Sequence, residues 1–210
     1  MKIPLNRLMW LKRFNRLFFE KLLENKYIKD WQKIDMIGAP PHAVKRKMID
    51  EYRIKHNCDI LVETGTYLGD MIYFNLDKFK KIFSIELSEN LANMSKNIFK
   101  NKKHVKILIG DSGIKLKEVI LELDSKSLFW LDGHYSGGLT AKGESNCPVL
   151  KELDIIFNNN IYRHIILIDD ANAFDGKNDY PNKEEIENIA TQNNYNYFIK
   201  NNSFILEPKD

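Results

Sequence analysis

The stretch Ile60-Leu61-Val62-Glu63-Thr64-Gly65-Thr66-Tyr67-Leu68-Gly69 constrains the fold of this chain more than any other. An apolar run ends in an acid, and a turn with two glycines then leads into a helical pattern. Ile60 to Val62 carry no charge, as in a parallel strand covered on both faces. Gly65 permits a sharp turn and close approach to a ligand, and Gly69 permits tight packing where the next helix begins. A strand, a glycine turn and a helix form one unit of an α/β sheet, so the remaining chain should supply matching units.

It does so in alternation. Strand patterns fall near 58–63, 82–86, 105–109, 127–131 and 164–168, with helical patterns near 70–78, 89–100, 113–123 and 148–158. This rhythm predicts right-handed crossovers and a parallel sheet with helices on both faces. A last helix near 183–192 precedes Tyr195 to Lys200 and Ser203 to Leu206. Asn201-Asn202 between those runs tolerates positive φ, so they read as an antiparallel hairpin. The expected fold is therefore α/β: a Rossmann-like, mostly parallel sheet with a C-terminal hairpin, plus an N-terminal helical extension. Two regions are expected, an amphipathic extension over 1–38 and a ligand-binding domain over 39–210. A helix from about Ala43 to His56 leads into the first strand, with Val44, Met48, Ile49 and Tyr52 on its apolar face.

Ligands of open α/β sheets bind outside the carboxyl ends of the strands. Five such ends here carry an acid: Glu63, Glu86, Asp111, Asp132 and the pair Asp169-Asp170. Any one alone reads as a cap or a solvated turn residue; five in register point to a site. Tyr67 stands where a dinucleotide fingerprint needs its second glycine, which disfavours a pyrophosphate. A ligand without phosphates, but with a ribose and a charged amino-acid end, fits better. Glu86 lies where a carboxylate can accept from both ribose hydroxyls. Asp111 can accept from an adenine amine, with Ser112 nearby, and Glu63 can hold an ammonium group.

Glu63-x-Gly65-x-x-x-Gly69, followed by Glu86 and Asp111, resembles the cofactor motifs of class I S-adenosylmethionine-dependent methyltransferases. That resemblance implies S-adenosylmethionine held by Glu63, Thr64, Gly65, Thr66, Tyr67, Gly69, Glu86, Leu87, Asp111, Ser112 and Asp132.

Asp132, Asp169 and Asp170 should converge at the pocket mouth. Three carboxylates there repel unless protonated, paired or coordinated, and oxygen-only ligands suit Mg²⁺. Capping by Asp169 or Asp170, with no metal, is the other reading. Leu131-Asp132-Gly133-His134-Tyr135 with Ile168-Asp169-Asp170 is similar to the arrangement in metal-dependent sugar O-methyltransferases of the macrocin type. In that family an Asp-Gly-Asp segment and a later Asp-Asp pair supply the metal site. His134 here replaces the second acid. The resemblance covers about residues 40–175 and implies methylation of a sugar hydroxyl, on a nucleotide sugar or a glycan or surface-polysaccharide precursor.

His134 is a candidate general base, since its ordinary pKa of ~6.5 suits removal of a hydroxyl proton. Asp132 is the other candidate, with His134 then recognising substrate. Tyr135, Ser136, Thr140 and Lys142 lie on a polar, glycine-containing connection suited to a substrate lid. The segment from Phe174 to Pro181 offers a second pocket wall.

Charge and composition narrow the partners. The 32 basic and 29 acidic side chains leave a net charge of +3, which argues against a broad nucleic-acid surface. No Asn/Asp-Pro-Pro-Tyr/Phe segment appears, as many amine-directed nucleic-acid methyltransferases have. Cys58 and Cys147 lack metal-ligand spacing, and a reducing cytoplasm is the expected location. Leu8, Leu11, Phe14, Phe18 and Leu22 recur at helical spacing among basic residues in the first segment. Arg13, Arg16, Glu20 and Lys21 interrupt any long apolar core, which argues against a secretory leader or a membrane span. Packing on the domain, homodimer formation or peripheral membrane contact remain open for it. A non-catalytic protein that binds the cofactor, and a methyltransferase for another small molecule, are the alternative functions.

Overall fold

The computed structural model describes residues 16–34, 39–133 and 146–209. The chain forms two compact units, Met1–Met48 and Ile49–Asp210. In the first, residues 16–22 are helical and α1 spans Glu24–Lys33. Ile28 and Trp31 of α1 pack with Ala43 and Val44 at the start of α2, His42–His56. Buried Arg46 bonds Glu20 Oε2 at 3.1 Å and lies 4.0 Å from Glu24 Oε1. That ion pair fixes which face of the 16–22 segment turns inward. Leu17, three residues from Glu20, is buried with it, while Phe18 and Leu22 face solvent. The expected apolar stripe is thus rotated at these two positions, and Leu8, Leu11 and Phe14 lie outside the described residues.

The second unit holds the expected sheet. Its strands are β1 (Ile60–Thr64), β2 (Lys81–Glu86), β3 (Val105–Ile109), β4 (Ser127–Leu131), β5 (Ile165–Ile168), β6 (Tyr195–Lys200) and β7 (Ser203–Pro208). They lie in the order β3-β2-β1-β4-β5-β7-β6. The first five run parallel; β7 pairs antiparallel with both β5 and β6. Helices α3 (Asp70–Asn75), α4 (Glu89–Phe99), α5 (Ser112–Ile120), α6 (Val149–Asn158) and α7 (Lys183–Gln192) provide the connections and cover. β1, β4 and β5 are buried at every residue, which is why they read as continuous apolar runs and not as alternating ones. Cys58 and Cys147 are both buried.

The chain leaves β1 outward through β2 and β3, then returns to build β4 and β5 on the other side. The strand order therefore reverses between β1 and β4, and a crevice opens at their carboxyl ends. Asn201 and Asn202 both take positive φ, 52° and 58°, in the two-residue turn between β6 and β7. Asn202 then bonds the loop after β5: its carbonyl accepts from Ala171 N at 2.7 Å and its Oδ1 from Asn172 N at 2.8 Å.

Candidate active site

The turn after β1 is fixed from both sides of the crevice. Gly65 has φ +84° and donates its N–H to Ile85 O at 2.9 Å. A Cβ at Gly65 would lie 2.2 Å from the Asp132 carbonyl oxygen, so the close approach it permits is to the end of β4. Tyr67 also takes positive φ, +47°, an uncommon state for a side chain of its size. Its N–H is held by Glu86 Oε2 at 2.8 Å. Gly69, φ +72°, begins α3; a Cβ there would lie 2.8 Å from the Phe99 ring and 3.4 Å from Ser95 Oγ. It thus allows the tight helix packing expected of it.

Glu86 links this turn to the next. Its Oε1 accepts from Ser88 N at 2.9 Å, so two backbone N–H groups hold one carboxylate at the end of β2. A carboxylate has about four acceptor positions, so two remain for ligand hydroxyls. Asp111 is the N-cap of α5, accepting from Gly113 N at 2.8 Å. Its capping role and an acceptor role are compatible, because the bond occupies Oδ1 only. Ser112 starts α5 and is buried, as are Thr64 and Thr66.

Glu63 is buried, and Ser84 Oγ donates to its Oε2 at 2.5 Å. Burial pushes its carboxyl well above the usual range, against the Ser84 bond. The negative charges of Asp132, Glu86 and Asp70 push the same way as burial. The floor between β1 and β4 is polar too. A Cβ at Gly133 would meet Thr64 Oγ1 at 3.1 Å, Glu152 Oε1 at 3.3 Å and Ser112 Oγ at 3.3 Å. Thr64 Oγ1 is buried without a hydrogen-bond partner among the described residues. Neither Ser84 nor Glu152 stood out in the sequence, since each sits on an otherwise apolar strand or helix face.

On the acceptor side, Asp132 follows β4 and Asp169-Asp170 follow β5. Asp169 is fully buried and its Oδ1 accepts from Ser203 Oγ at 3.3 Å. Asp170 has φ +54° and accepts from Asn202 Nδ2 at 3.4 Å. Among the described residues no group of three or more His, Cys, Asp or Glu side chains gathers as a ready-made metal site. His134, Tyr135, Ser136, Thr140 and Lys142 lie outside the described residues. Residues 174–181 are described. Phe174 and Tyr180 meet edge to face at 5.5 Å, and Asp175 pairs with Asn182. Burial pushes the Tyr180 phenol up to about 12, with Cys147, Asp170 and Asp132 adding to it. Tyr180 therefore stands protonated beside the acids of both strand ends.

No family model and no curated protein matches this chain in sequence. Its structure does find relatives. The S-adenosylhomocysteine-bound methyltransferase PaMTH1 of Podospora anserina superposes with a TM-score of 0.55 at 14% identity, over 100% of this chain and 99% of that one. TomG of Streptomyces achromogenes, an O-methyltransferase of tomaymycin synthesis solved with S-adenosylmethionine, gives 0.56 at 12% identity, over 91% and 95%. An S-adenosylmethionine-dependent methyltransferase of Clostridium acetobutylicum gives 0.56 at 11%, over 89% and 99%. The fold is that of the class I methyltransferases.

Proposed function

We propose that this chain is an S-adenosylmethionine-dependent O-methyltransferase acting on a hydroxyl of a sugar, nucleotide-linked or in a glycan precursor. The observation that carries the cofactor is the ring of acids around the glycine turn. The charges of Asp132, Glu86 and Asp70 all bear on buried Glu63. Such a site repels a pyrophosphate and attracts a ligand with a sulfonium and an ammonium group. Glu86, anchored by two backbone bonds, is a preorganised acceptor for ribose hydroxyls.

Transfer is in-line. The acceptor oxygen attacks the methyl carbon, the carbon–sulfur bond breaks, and the hydroxyl proton passes to a base, His134 or Asp132. The products are a methyl ether and S-adenosylhomocysteine. The chain's part is to align three atoms and to remove the proton. Polyhydroxylated acceptors suit a site where Asp132 and Asp170 stand at the strand ends as acceptors. The sugar itself rests on the sequence resemblance.

The test is calorimetric titration with S-adenosylhomocysteine, then labelled methyl transfer to a panel of nucleotide sugars with and without Mg²⁺. Binding, with transfer to at least one sugar hydroxyl, is expected. No binding at millimolar ligand would overturn the cofactor reading; binding with transfer only to non-sugar acceptors would overturn the sugar.

A further inference from the structure

Ser84 is a hydroxyl in the middle of a strand that is otherwise aliphatic and aromatic between its end charges, Lys81-Ile82-Phe83-Ser84-Ile85-Glu86. It is fully buried, and a hydroxyl removed from water destabilises the fold unless it is bonded. Its bonds are both to side chains of the cofactor turn. It faces Glu63 across the β1–β2 pair and donates to Glu63 Oε2 at 2.5 Å, while Thr66 Oγ1 lies 2.5 Å from its oxygen. Thr66 is itself 3% exposed.

A hydroxyl has one proton to give. With Ser84 donating to an ionised Glu63, Thr66 must donate to Ser84, and the chain runs Thr66 to Ser84 to Glu63. With Glu63 protonated, the order can reverse. The charge of Glu63 is therefore coupled to the hydrogen-bond direction within the turn that follows β1. Among the described residues, the other charges bearing on this carboxyl oppose its ionisation: Asp132 at the end of β4, Glu86 on β2 and Asp70 at the start of α3 are all acids.

We propose that Ser84 and Thr66 are positioning residues that hold Glu63 in a single orientation and favour its charged form as the acceptor for the ammonium group of the cofactor. This rests on the methyltransferase reading for the identity of the ammonium, and on geometry alone for the relay. In ligand-free protein the serine donor favours the ionised carboxyl against burial, and the incoming cation supplies the second partner.

The relay is tested first without ligand, by thermal unfolding of the full chain from pH 5 to 9. Burial raises the folded carboxyl above its unfolded value, so the stability it contributes is present at low pH and is lost as pH rises through the folded value. Ser84→Ala removes the donor to the ionised form, so its deficit against the parent should widen as pH rises. Thr66→Val should show a smaller deficit of the same sign, and Thr66→Ser should track the parent. In a Glu63→Gln background the Ser84→Ala deficit should be flat with pH. A deficit that is already flat in the parent background makes Ser84 a buried filler and overturns the relay.

Ligand titration then tests the role. S-adenosylhomocysteine should bind Ser84→Ala roughly tenfold more weakly at pH 7, as loss of a charge-assisted bond implies. 5′-Methylthioadenosine, which has no ammonium, should bind both proteins within about twofold, since it forfeits none of that bond. Equal weakening of the two ligands overturns the assignment to the ammonium. If the parent binds neither, the cofactor reading fails, and the unfolding series still decides the relay.

Discussion

Gly65→Ala separates what the glycine turn owes to backbone conformation from what it owes to the end of β4. Gly65 sits at φ +84°, where an alanine costs about 1–2 kcal/mol. The added Cβ would also lie 2.2 Å from the Asp132 carbonyl oxygen and 2.9 Å from its carbonyl carbon. Both are backbone atoms, so no rotamer change relieves the contact. The ends of β1 and β4 must part by roughly 1 Å, a distortion typical of overpacked sites that cost about 1–3 kcal/mol. The sum is about 2–5 kcal/mol, which for a chain of this size lowers Tm by roughly 4–20 °C. Gly176→Ala is the control. Its φ is +79°, but a Cβ there meets nothing nearer than Asn182 Cβ at 3.7 Å. It should lose only the conformational part, on the order of 1–2 kcal/mol. Calorimetric melting of both variants, with and without S-adenosylhomocysteine, gives the comparison. If Gly65→Ala melts no lower than Gly176→Ala, the close approach to Asp132 is not what Gly65 is there for, and the reasoning fails.

Glu86→Ala should remove the carboxylate that holds Tyr67 N and Ser88 N, at a cost of about 3 kcal/mol for two charge-assisted bonds, and abolish S-adenosylhomocysteine binding in calorimetry. His164 is buried, and its Nδ1 accepts from Ser127 N at 3.1 Å, so the neutral ring is the one bonded. Burial, then Lys126, holds its pKa down to about 4 against 6.5, so its stabilisation is complete above pH 6.5 and is lost as pH falls towards 4. Its imidazole resonances should stay those of the neutral ring from pH 7 to 5. Glu207 sits on β7, with Lys55 Nζ and His56 Nε2 both 2.6 Å from its Oε1. Burial raises its pKa, but these two partners outweigh that and leave it lowered. Its stabilisation is therefore full above the unfolded value near 4.5 and lost as pH falls below it. Glu207→Gln should destabilise the protein by about 1–2 kcal/mol at neutral pH and flatten the acid limb of its Tm profile.

The sheet was legible because its strands are short apolar runs bounded by turn residues. Ile60–Val62 and Ile165–Ile168 read correctly for the reason that they are buried on both faces. Helix ends were less visible: α3 stops at Asn75, before the expected residue 78, and α5 stops at Ile120, before 123. The acids at the strand ends were visible one by one, but their environments were not. Gly65 turns out to fit against the Asp132 carbonyl, a partner far off in sequence, whereas Asp111 caps α5 through Gly113 N only two residues on. Ser84 could not be singled out, since a lone serine in a strand carries no period or motif. The pairing of Glu63 with Ser84 exists only once β1 and β2 are in register.

The turn at Asn201-Asn202 has a consequence for the order in which the protein becomes competent during synthesis. The elements that carry Glu63, Glu86 and Asp111 are complete by α5. The loop carrying Asp170 is braced by Asn202, and Asp169 by Ser203, so this end of the sheet awaits the closing hairpin. A nascent chain released short of β7 would hold the acids of β1 to β3 in place but lack the bonds that brace the loop after β5.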